Sequence, residues 1–560
     1  MSVNDFTTVK IAGPAGAGIK SSGIVLSNIL LAHNQKIRDY SEYPSLVRGG
    51  HNTYQVTFSS SEVFSVHQKI DIFFSLIPGH WQQHQSEFKT DSVIFSDESS
   101  VPKISKGKFN TLPLKQLSST LGKPIYANTI CLGVLIFLLG FDKEISKDVV
   151  KKTFGSTSPN NDAFDLGYDY AVNNFFKLQR SVKHSISKRP QKYYDGNEAY
   201  GWGFIKGGGN FYAAYPMTPA TGALHFLAAK SKDHNLVVVH PEDEISAANM
   251  AAGAAFAGAR AATGTSGGGF ALMNEAVSFC GIAELGMVYY LVSRPGPATG
   301  LPTWTSQGDL MHAIYSGHGE FPKVVIAPGD HQESFEMGGE SLNLAAQLQT
   351  PVLVLSDKLL GESGASVSDL SLQKIKINSG KIIEKPDLNF KRYSLKVKDG
   401  VSSLTLPGTK NGEFLSNSYE HDELGYSTED AILADQMNQK RLSKIKTAIK
   451  LAPKAEIFAS EKAKKIIIGW GSTKGAILET LKMLPNREDY CFMQIKTLWP
   501  INPDLEKMIS CFEEIIVIEN NSTAQLVTLL KSQFNFNPTK IILKSDGRPF
   551  FPEELYDKLK

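Results

Sequence analysis

Apolar runs of strand length alternate with helix-length patterns along nearly the whole chain, and glycine-rich turns join strand to helix. That alternation builds α/β layers with mostly parallel sheets. In the first unit "TVKIAG" reads as a strand, "GPAGAGIKSSG" as the turn and "IVLSNILLAH" as the helix. "NTYQVTF", "DIFFSLI" and "SVIFSD" read as further strands, and helical patterns cover Lys147 to Phe154 and Ala163 to Phe176. A second unit starts near Asp195 with the helix "GNEAYGWGFIKGG". Its strands are "FYAAYP", "NLVVVH", "MVYYLVS", "KVVIAP" and "PVLVLSD", and "ISAANMAAGAAFAGA" is a helix of small residues. A third unit, "KKIIIGWGSTKGAILETLKML" onward, repeats strand, turn and helix and adds "EIIVIEN" and "KIILKSD". Arg180 to Lys192 is polar and basic and reads as a linker with solvated charge. From Glu362 to Lys462 the periodicity weakens, which predicts an irregular insertion.

The bulk numbers exclude several classes. At 560 residues with 42% hydrophobic and 20% charged residues, the chain can bury several cores. A net charge of +2 and the lack of a basic stripe argue against nucleic acid. "MSVNDFTTVKIAG" lacks the basic-then-apolar pattern of a signal peptide. The longest apolar run, Ile130 to Phe141, is too short to span a bilayer and reads as a buried helix. No membrane association and a cytoplasmic location are therefore expected. Cys131, Cys280, Cys491 and Cys511 form no C-x-x-C pair. All four read as buried small hydrophobes, with no disulfide framework and no iron–sulfur cluster held by this chain alone.

The turn from Lys10 to Gly23 is a near-miss for two phosphate motifs. Gly13 and Gly18 keep the spacing of a P-loop, but Ile19 separates Gly18 from Lys20. Gly16 and Gly18 begin a dinucleotide fingerprint, but Ser21 stands where its third glycine belongs. Two readings stay open: a tight turn, or an anion site at an electropositive helix start.

The segments that carry chemistry lie in the second unit. In "YPMTPATG", Thr218 before Pro219 reads as a helix N-cap followed by the first helical residue. Loops at the carboxyl ends of parallel strands are where such folds bind ligands. "HPEDEISAANMAAGAAFAGA" puts Glu242, Asp243 and Glu244 at the start of a helix so small and apolar that a neighbour must approach it closely. Acids there are favoured by the helix dipole alone, which suffices for Glu242 and Asp243. Glu244 is placed where strand, helix and a neighbouring surface meet. "ATGTSGGGFALMNEA" supplies another glycine-rich loop. In "LVSRPGPATGLPTWTSQGDL", Arg294 ends a strand before a Pro/Gly-rich loop. It is either a clamp for a planar carboxylate or a solvated surface charge.

Together "YPMTPATG", "PEDEISA", "AAGAAFAGARAATGTSGGG", "RPGPATGLPT", "QGDL", "EHDELGYSTED" and "DGRPFFPEEL" resemble the α subunit of 2-oxoacid:ferredoxin oxidoreductases, and "EYPSLVRGGHNT" resembles their γ domain. The pattern is most similar to 2-oxoglutarate:ferredoxin oxidoreductases with γ and α fused. The resemblance covers nearly the whole chain and is weakest from Gly364 to Leu415.

The resemblance implies an α/β chain of several parallel-sheet domains: a γ capping domain (1–180), a linker (181–194), a transketolase-like pyrimidine-binding domain (195–362), an irregular insertion (363–462) and a transketolase-like C-terminal domain (463–560). It implies thiamine diphosphate shared with a β subunit that holds the diphosphate, Mg²⁺ and a [4Fe–4S] cluster, with no metal on this chain. Coenzyme A is the co-substrate, ferredoxin the electron acceptor, and the assembly a dimer of heterodimers. Glu244 matches the glutamate that hydrogen-bonds the aminopyrimidine and helps form the nucleophile. Thr218 and Arg294 would bind the 2-oxoacid, Arg294 also stabilising developing oxyanion charge, and Tyr215 would shape the pocket. Arg48, in "VRGGHNT", is either a cation for a distal carboxylate or a turn-stabilising arginine. The rival readings are pyruvate or another 2-oxoacid as substrate, a non-catalytic assembly or ligand-sensing subunit, and a nucleotide-dependent enzyme.

Overall fold

A computed structural model of the chain describes residues 6–45, 49–76, 80–97, 109–180, 182, 191–460 and 462–560. Three sheets organise it, of eight, seven and five strands. In the first, Thr7–Ala15 pairs in parallel with Ile70–Ser75, which pairs in parallel with Phe88–Asp97. On its other side Thr7–Ala15 pairs antiparallel with Gly49–Ser59, and that strand with Lys36–Glu42, so this sheet is mixed. Ile70–Ser75 is buried at every position, as a central strand covered on both faces must be.

The apolar run from Ile130 lies in the helix Ala127–Leu138, buried at all positions but its first. A helix apolar all round belongs in a core. Its close neighbour is the helix Asn160–Asn174; a Cβ on Gly133 would stand 2.1 Å from the Phe164 carbonyl, so only glycine allows the crossing. No single helix among the described residues is long and apolar enough to cross a membrane. The opening glycine turn is packed by this chain's own groups. Gly16 and Gly18 take positive φ of 85° and 75°, and Asn128 Nδ2 donates to the Ala17 carbonyl. Of the expected linker, Arg180 to Lys192, residues 181 and 183–190 lie outside the described residues, and Gln191 and Lys192 begin the strand Gln191–Asp195.

The second sheet runs, in spatial order, Thr497–Trp499, Val324–Ile326, Val352–Asp357, Val288–Ser293, Ala261–Thr265, Phe211–Ala213, Val237–Val239. All its pairs are parallel except the one made by Thr497–Trp499, contributed by the third unit. Gln191–Asp195 and Gly364–Ser368 leave the second unit and extend the first sheet. The sheets are therefore continuous across the boundaries read from the sequence. The third sheet is parallel through Tyr490–Gln494, Lys465–Gly469, Glu514–Glu519 and Lys540–Leu543.

Two expectations change. Cys131, Cys280 and Cys491 are buried, but Cys511 is exposed, in the surface turn after the helix Asp504–Ile509. The segment from 363 to 462, expected to be irregular, ends in a 21-residue helix, Ala431–Leu451, capped by Asp430. Its buried positions are Met437, Lys440, Arg441, Lys444 and Ala448, which fall on one helical face. That face is mostly basic, so it carries no hydrophobic periodicity. It is buried because it meets Glu284, which lies 2.5 Å from Lys440 Nζ and 2.6 Å from Lys444 Nζ. Arg392, from the irregular stretch, donates to the Glu284 carbonyl at 2.9 Å. Burial alone would raise the Glu284 pKa, but Lys444, Lys440 and Arg392 hold it well below the usual carboxylate range.

Glu284→Gln leaves three buried cations without their anion. Removing one member of a buried ion cluster costs about 3–5 kcal/mol. Denaturant unfolding at pH 7 is expected to show a loss of that size. Because the folded pKa is depressed, Glu284's contribution is full above the ordinary carboxylate pKa and is lost as pH falls towards the folded value. The variant's deficit should therefore shrink in acid.

Candidate functional site

Four neighbouring parallel strands of the second sheet release their chains at the same edge. Val288–Ser293 leads into Arg294, Ala261–Thr265 into Ser266 and three glycines, Phe211–Ala213 into Tyr215 and Thr218, and Val237–Val239 into Glu244. Parallel strands end on one side of a sheet, so loops far apart in sequence converge there.

Glu244 is the first residue of the helix Glu244–Phe256 and is 4% exposed. Asp243 caps that helix, accepting from Ser246 N at 2.7 Å, and Glu242 accepts from Ser246 Oγ at 3.0 Å. Those two acids serve the helix start. Glu244 does not: its Oε1 is buried with no hydrogen-bond partner. It lies against the triglycine segment, where a Cβ on Gly269 would stand 2.5 Å from Glu244 Oε1 and 2.2 Å from Thr265 Oγ1. The Thr265 hydroxyl reaches Met217 Sδ at 3.8 Å, which ties this wall to the "YPMT" loop.

Thr218 and Arg294 meet. Arg294 Nη1 donates to the Thr218 carbonyl at 2.7 Å. The Thr218–Pro219 peptide is cis, and the following helix is Thr221–Lys230 with Ala220 at its N-cap. Thr218 is therefore not a helix cap, contrary to the sequence reading, because the chain makes a turn closed by Ala220 N to Met217 O before the helix starts. The turn is also held from behind. Asn197 Nδ2 donates to the Pro219 carbonyl at 3.0 Å, and Tyr290 donates to Asn197 Oδ1 at 3.1 Å. The Thr218 hydroxyl and the remaining Arg294 N–H groups make no hydrogen bond among the described residues. Partial burial lowers the Arg294 pKa, opposed by the charge of Asp309.

Tyr215 sits at the rim, 37% exposed, edge-on to His240 at 6.0 Å. Arg48 lies outside the described residues. Asn197, Thr265 and Gly269 escaped sequence reasoning, because a buried amide, a strand-end hydroxyl and a missing side chain carry no motif of their own. Among the described residues no group of three or more His, Cys, Asp or Glu could hold a metal ion. The arrangement can do two things chemically. It offers a buried carboxyl oxygen to a hydrogen-bond donor, and a cation plus a hydroxyl to a small anion.

Comparison with known proteins shows the family of the chain. Residues 203–439 match the thiamine-diphosphate-binding domain family of pyruvate flavodoxin/ferredoxin oxidoreductases, and residues 8–170 match a second domain family of pyruvate ferredoxin/flavodoxin oxidoreductases. The chain is 32% identical to a 2-oxoacid:ferredoxin oxidoreductase α subunit from Sulfolobus, over 98% of this chain and 96% of that one. It is 25% identical to the 2-oxoglutarate oxidoreductase subunit KorA of Mycobacterium tuberculosis, over 98% and 90% of the two chains. It superposes with a TM-score of 0.92, at 28% identity and 99% coverage of both chains, on the 2-oxoglutarate:ferredoxin oxidoreductase of Magnetococcus marinus, solved with 2-oxoglutarate, coenzyme A and succinyl-CoA bound.

The glycines near Glu244 differ in what surrounds them. Gly269→Ala forces a methyl into the carboxyl and should cost about 1–3 kcal/mol, the usual penalty of overpacking. Gly253, on the same helix as Glu244, has nothing within 4 Å of an added Cβ. Gly253→Ala should stabilise the isolated chain by about 0.5–1 kcal/mol. Parallel urea titrations of the two variants check the contrast.

Proposed function

The chain belongs to the 2-oxoacid:ferredoxin oxidoreductase α subunits, and on that premise we propose that it supplies the pyrimidine side of a thiamine-diphosphate site together with the 2-oxoacid clamp. The observation that carries this reading is the buried, unpartnered Oε1 of Glu244 at the strand-end edge. An unsatisfied buried polar atom costs about 1–3 kcal/mol. A protonated ring nitrogen of the pyrimidine is a donor of the right kind, and Gly269, Ala247 and Ala248 leave the wall beside the carboxyl low and apolar. The residues present therefore fit that end of the cofactor.

When bound, thiamine diphosphate supplies a carbon nucleophile for the 2-oxo carbon and takes up the electron pair released with carbon dioxide. This chain's residues do the rest. Glu244 holds the proton shared with the ring nitrogen. Arg294, pinned through Nη1 to Thr218, turns its other N–H groups to the substrate carboxylate, where partial burial strengthens the contact. The Thr218 hydroxyl donates to a substrate oxygen. Tyr215 walls the entrance.

The substrate we assign is 2-oxoglutarate, oxidised to succinyl-CoA with reduction of ferredoxin, or made by the reverse carboxylation. The Mycobacterium and Magnetococcus similarities support that choice over pyruvate. A second carboxylate calls for a second cation, the role assigned to Arg48. The diphosphate, Mg²⁺ and a [4Fe–4S] cluster belong to a β subunit, in a dimer of heterodimers.

The test is the complex reconstituted with its β subunit. Glu244→Gln should lower kcat by about 10²–10³, the scale of a lost proton-transfer group, with KM for the 2-oxoacid little changed. Unchanged turnover would end the cofactor assignment. Arg48→Ala should raise KM for 2-oxoglutarate about tenfold, a loss of roughly 1.4 kcal/mol, and leave KM for pyruvate in place. A wild-type preference for pyruvate by kcat/KM would overturn the substrate assignment.

A further inference from the structure

We propose that Asn197 is a positioning residue for the substrate clamp: its side-chain amide joins the turn that carries Thr218 to the strand that ends at Arg294, and so sets the direction in which the Thr218 hydroxyl meets the 2-oxoacid. The inference rests on the substrate role given to Thr218 above.

Asn197 is the second residue of the helix Gly196–Lys206, whose start is closed by a reciprocal capping box between Asp195 and Glu198. The Asn197 side chain is therefore not needed at the helix start. It is 1% exposed and has two partners elsewhere. Nδ2 donates to the Pro219 carbonyl at 3.0 Å, and Oδ1 accepts from the Tyr290 hydroxyl at 3.1 Å. Glycines make room for the amide. A Cβ on Gly222 would stand 2.7 Å from Nδ2, and one on Gly361 3.4 Å from Nδ2 and 3.5 Å from Oδ1.

These bonds close a ring. Tyr290 lies in the strand Val288–Ser293, and Arg294 follows that strand directly. Arg294 reaches the turn through the Thr218 carbonyl at 2.7 Å, and Tyr290 reaches it through Asn197 and the Pro219 carbonyl. Two consecutive carbonyls of the turn are thus held from one strand. Proline has no N–H, so those carbonyls are the polar handles on the link that leaves Thr218. The bond from Ala220 N to the Met217 carbonyl is internal to the turn and ties it to no other element. An amide suits both contacts, because the carbonyl needs a donor and the tyrosine hydroxyl an acceptor, and asparagine offers one of each on a short stem. Tyr290 is itself fixed, its ring stacked on Tyr200 at 3.8 Å. Without Asn197 the Pro219 carbonyl is left unpaired in the interior, and the hold from that strand rests on Arg294, the side chain that must also turn to the substrate.

Steady-state kinetics of the complex reconstituted with its β subunit, with thiamine diphosphate affinity measured separately, tests this. Asn197→Leu keeps the branched shape and removes both hydrogen bonds. The expected result is a KM for 2-oxoglutarate about tenfold higher, the scale of one lost hydrogen bond, with kcat within about threefold and cofactor affinity unchanged. Tyr290→Phe keeps the ring and removes only the hydroxyl. It should raise KM about threefold, and it carries the test if Asn197→Leu folds poorly. Thr218→Val supplies the coupling. Combined with either variant, it should lose less than the product of the single effects, because all three act through one turn. An unchanged KM in the folded variants, an equal loss of cofactor affinity, or losses that multiply would overturn the proposal while the substrate role of Thr218 stands. If Thr218→Val itself leaves KM unchanged, both fall.

Discussion

Asp357 and Lys358, at the carboxyl end of a central strand, hold three units in one geometry. Asp357 Oδ1 accepts from Leu360 N at 3.1 Å and from Thr305 Oγ1 at 3.2 Å, so it caps its own helix and grips the loop after Arg294. Ser472, from the glycine turn of the third unit, lies against the same carboxylate. Lys358, almost fully buried, donates to the Ser41 carbonyl of the first unit at 2.5 Å and lies 4.8 Å from the centre of the Tyr40 ring. A buried lysine is tolerated only where such partners replace water. Adjacent residues thus fasten the second unit to both others.

That junction matters because the loop between Arg294 and Asp309 has little structure of its own. It borrows order from both sides. Thr303 donates to the Tyr43 carbonyl of the first unit at 2.5 Å. Gln307 donates to the Trp470 carbonyl and accepts from Asn520 N, and Gly547 accepts from Thr305 N, all in the third unit. Arg548 stacks on Trp304 at 3.7 Å. The "DGRPFFPEEL" segment therefore braces the loop that follows Arg294. Shared sheets add to the rigidity, since strands cross each unit boundary. Preorganisation of this kind lets a cation and a hydroxyl meet a small anion without first paying to be ordered.

Much of this was legible from residues alone. The strand, turn and helix order follows from apolar periodicity, while the pairing of Thr218 with Arg294 on the substrate came from the family resemblance; the two residues do touch. The unread parts share a cause. The helix Ala431–Leu451 hides its buried face behind lysines and an arginine, because the surface it covers is a buried glutamate rather than a hydrophobic wall. Thr218 looked like a cap because Thr-Pro before a helix usually is one, whereas here the peptide is cis and the helix begins later.

The amino-acid order by itself determined the layered α/β architecture, the small-residue helix that starts with Glu244, and the set of glycines near it. Those are local properties: periodicity of burial, helix-start preference and the absence of side chains act over a few residues. Only the tertiary structure decided that Gly269 admits a carboxyl group, that Arg294 spends one N–H on Thr218, and that one oxygen of Glu244 is left unpartnered. Parallel strands distant in the chain end at one edge, and hydrogen-bond satisfaction there is a property of the assembled edge, which no single stretch of sequence contains.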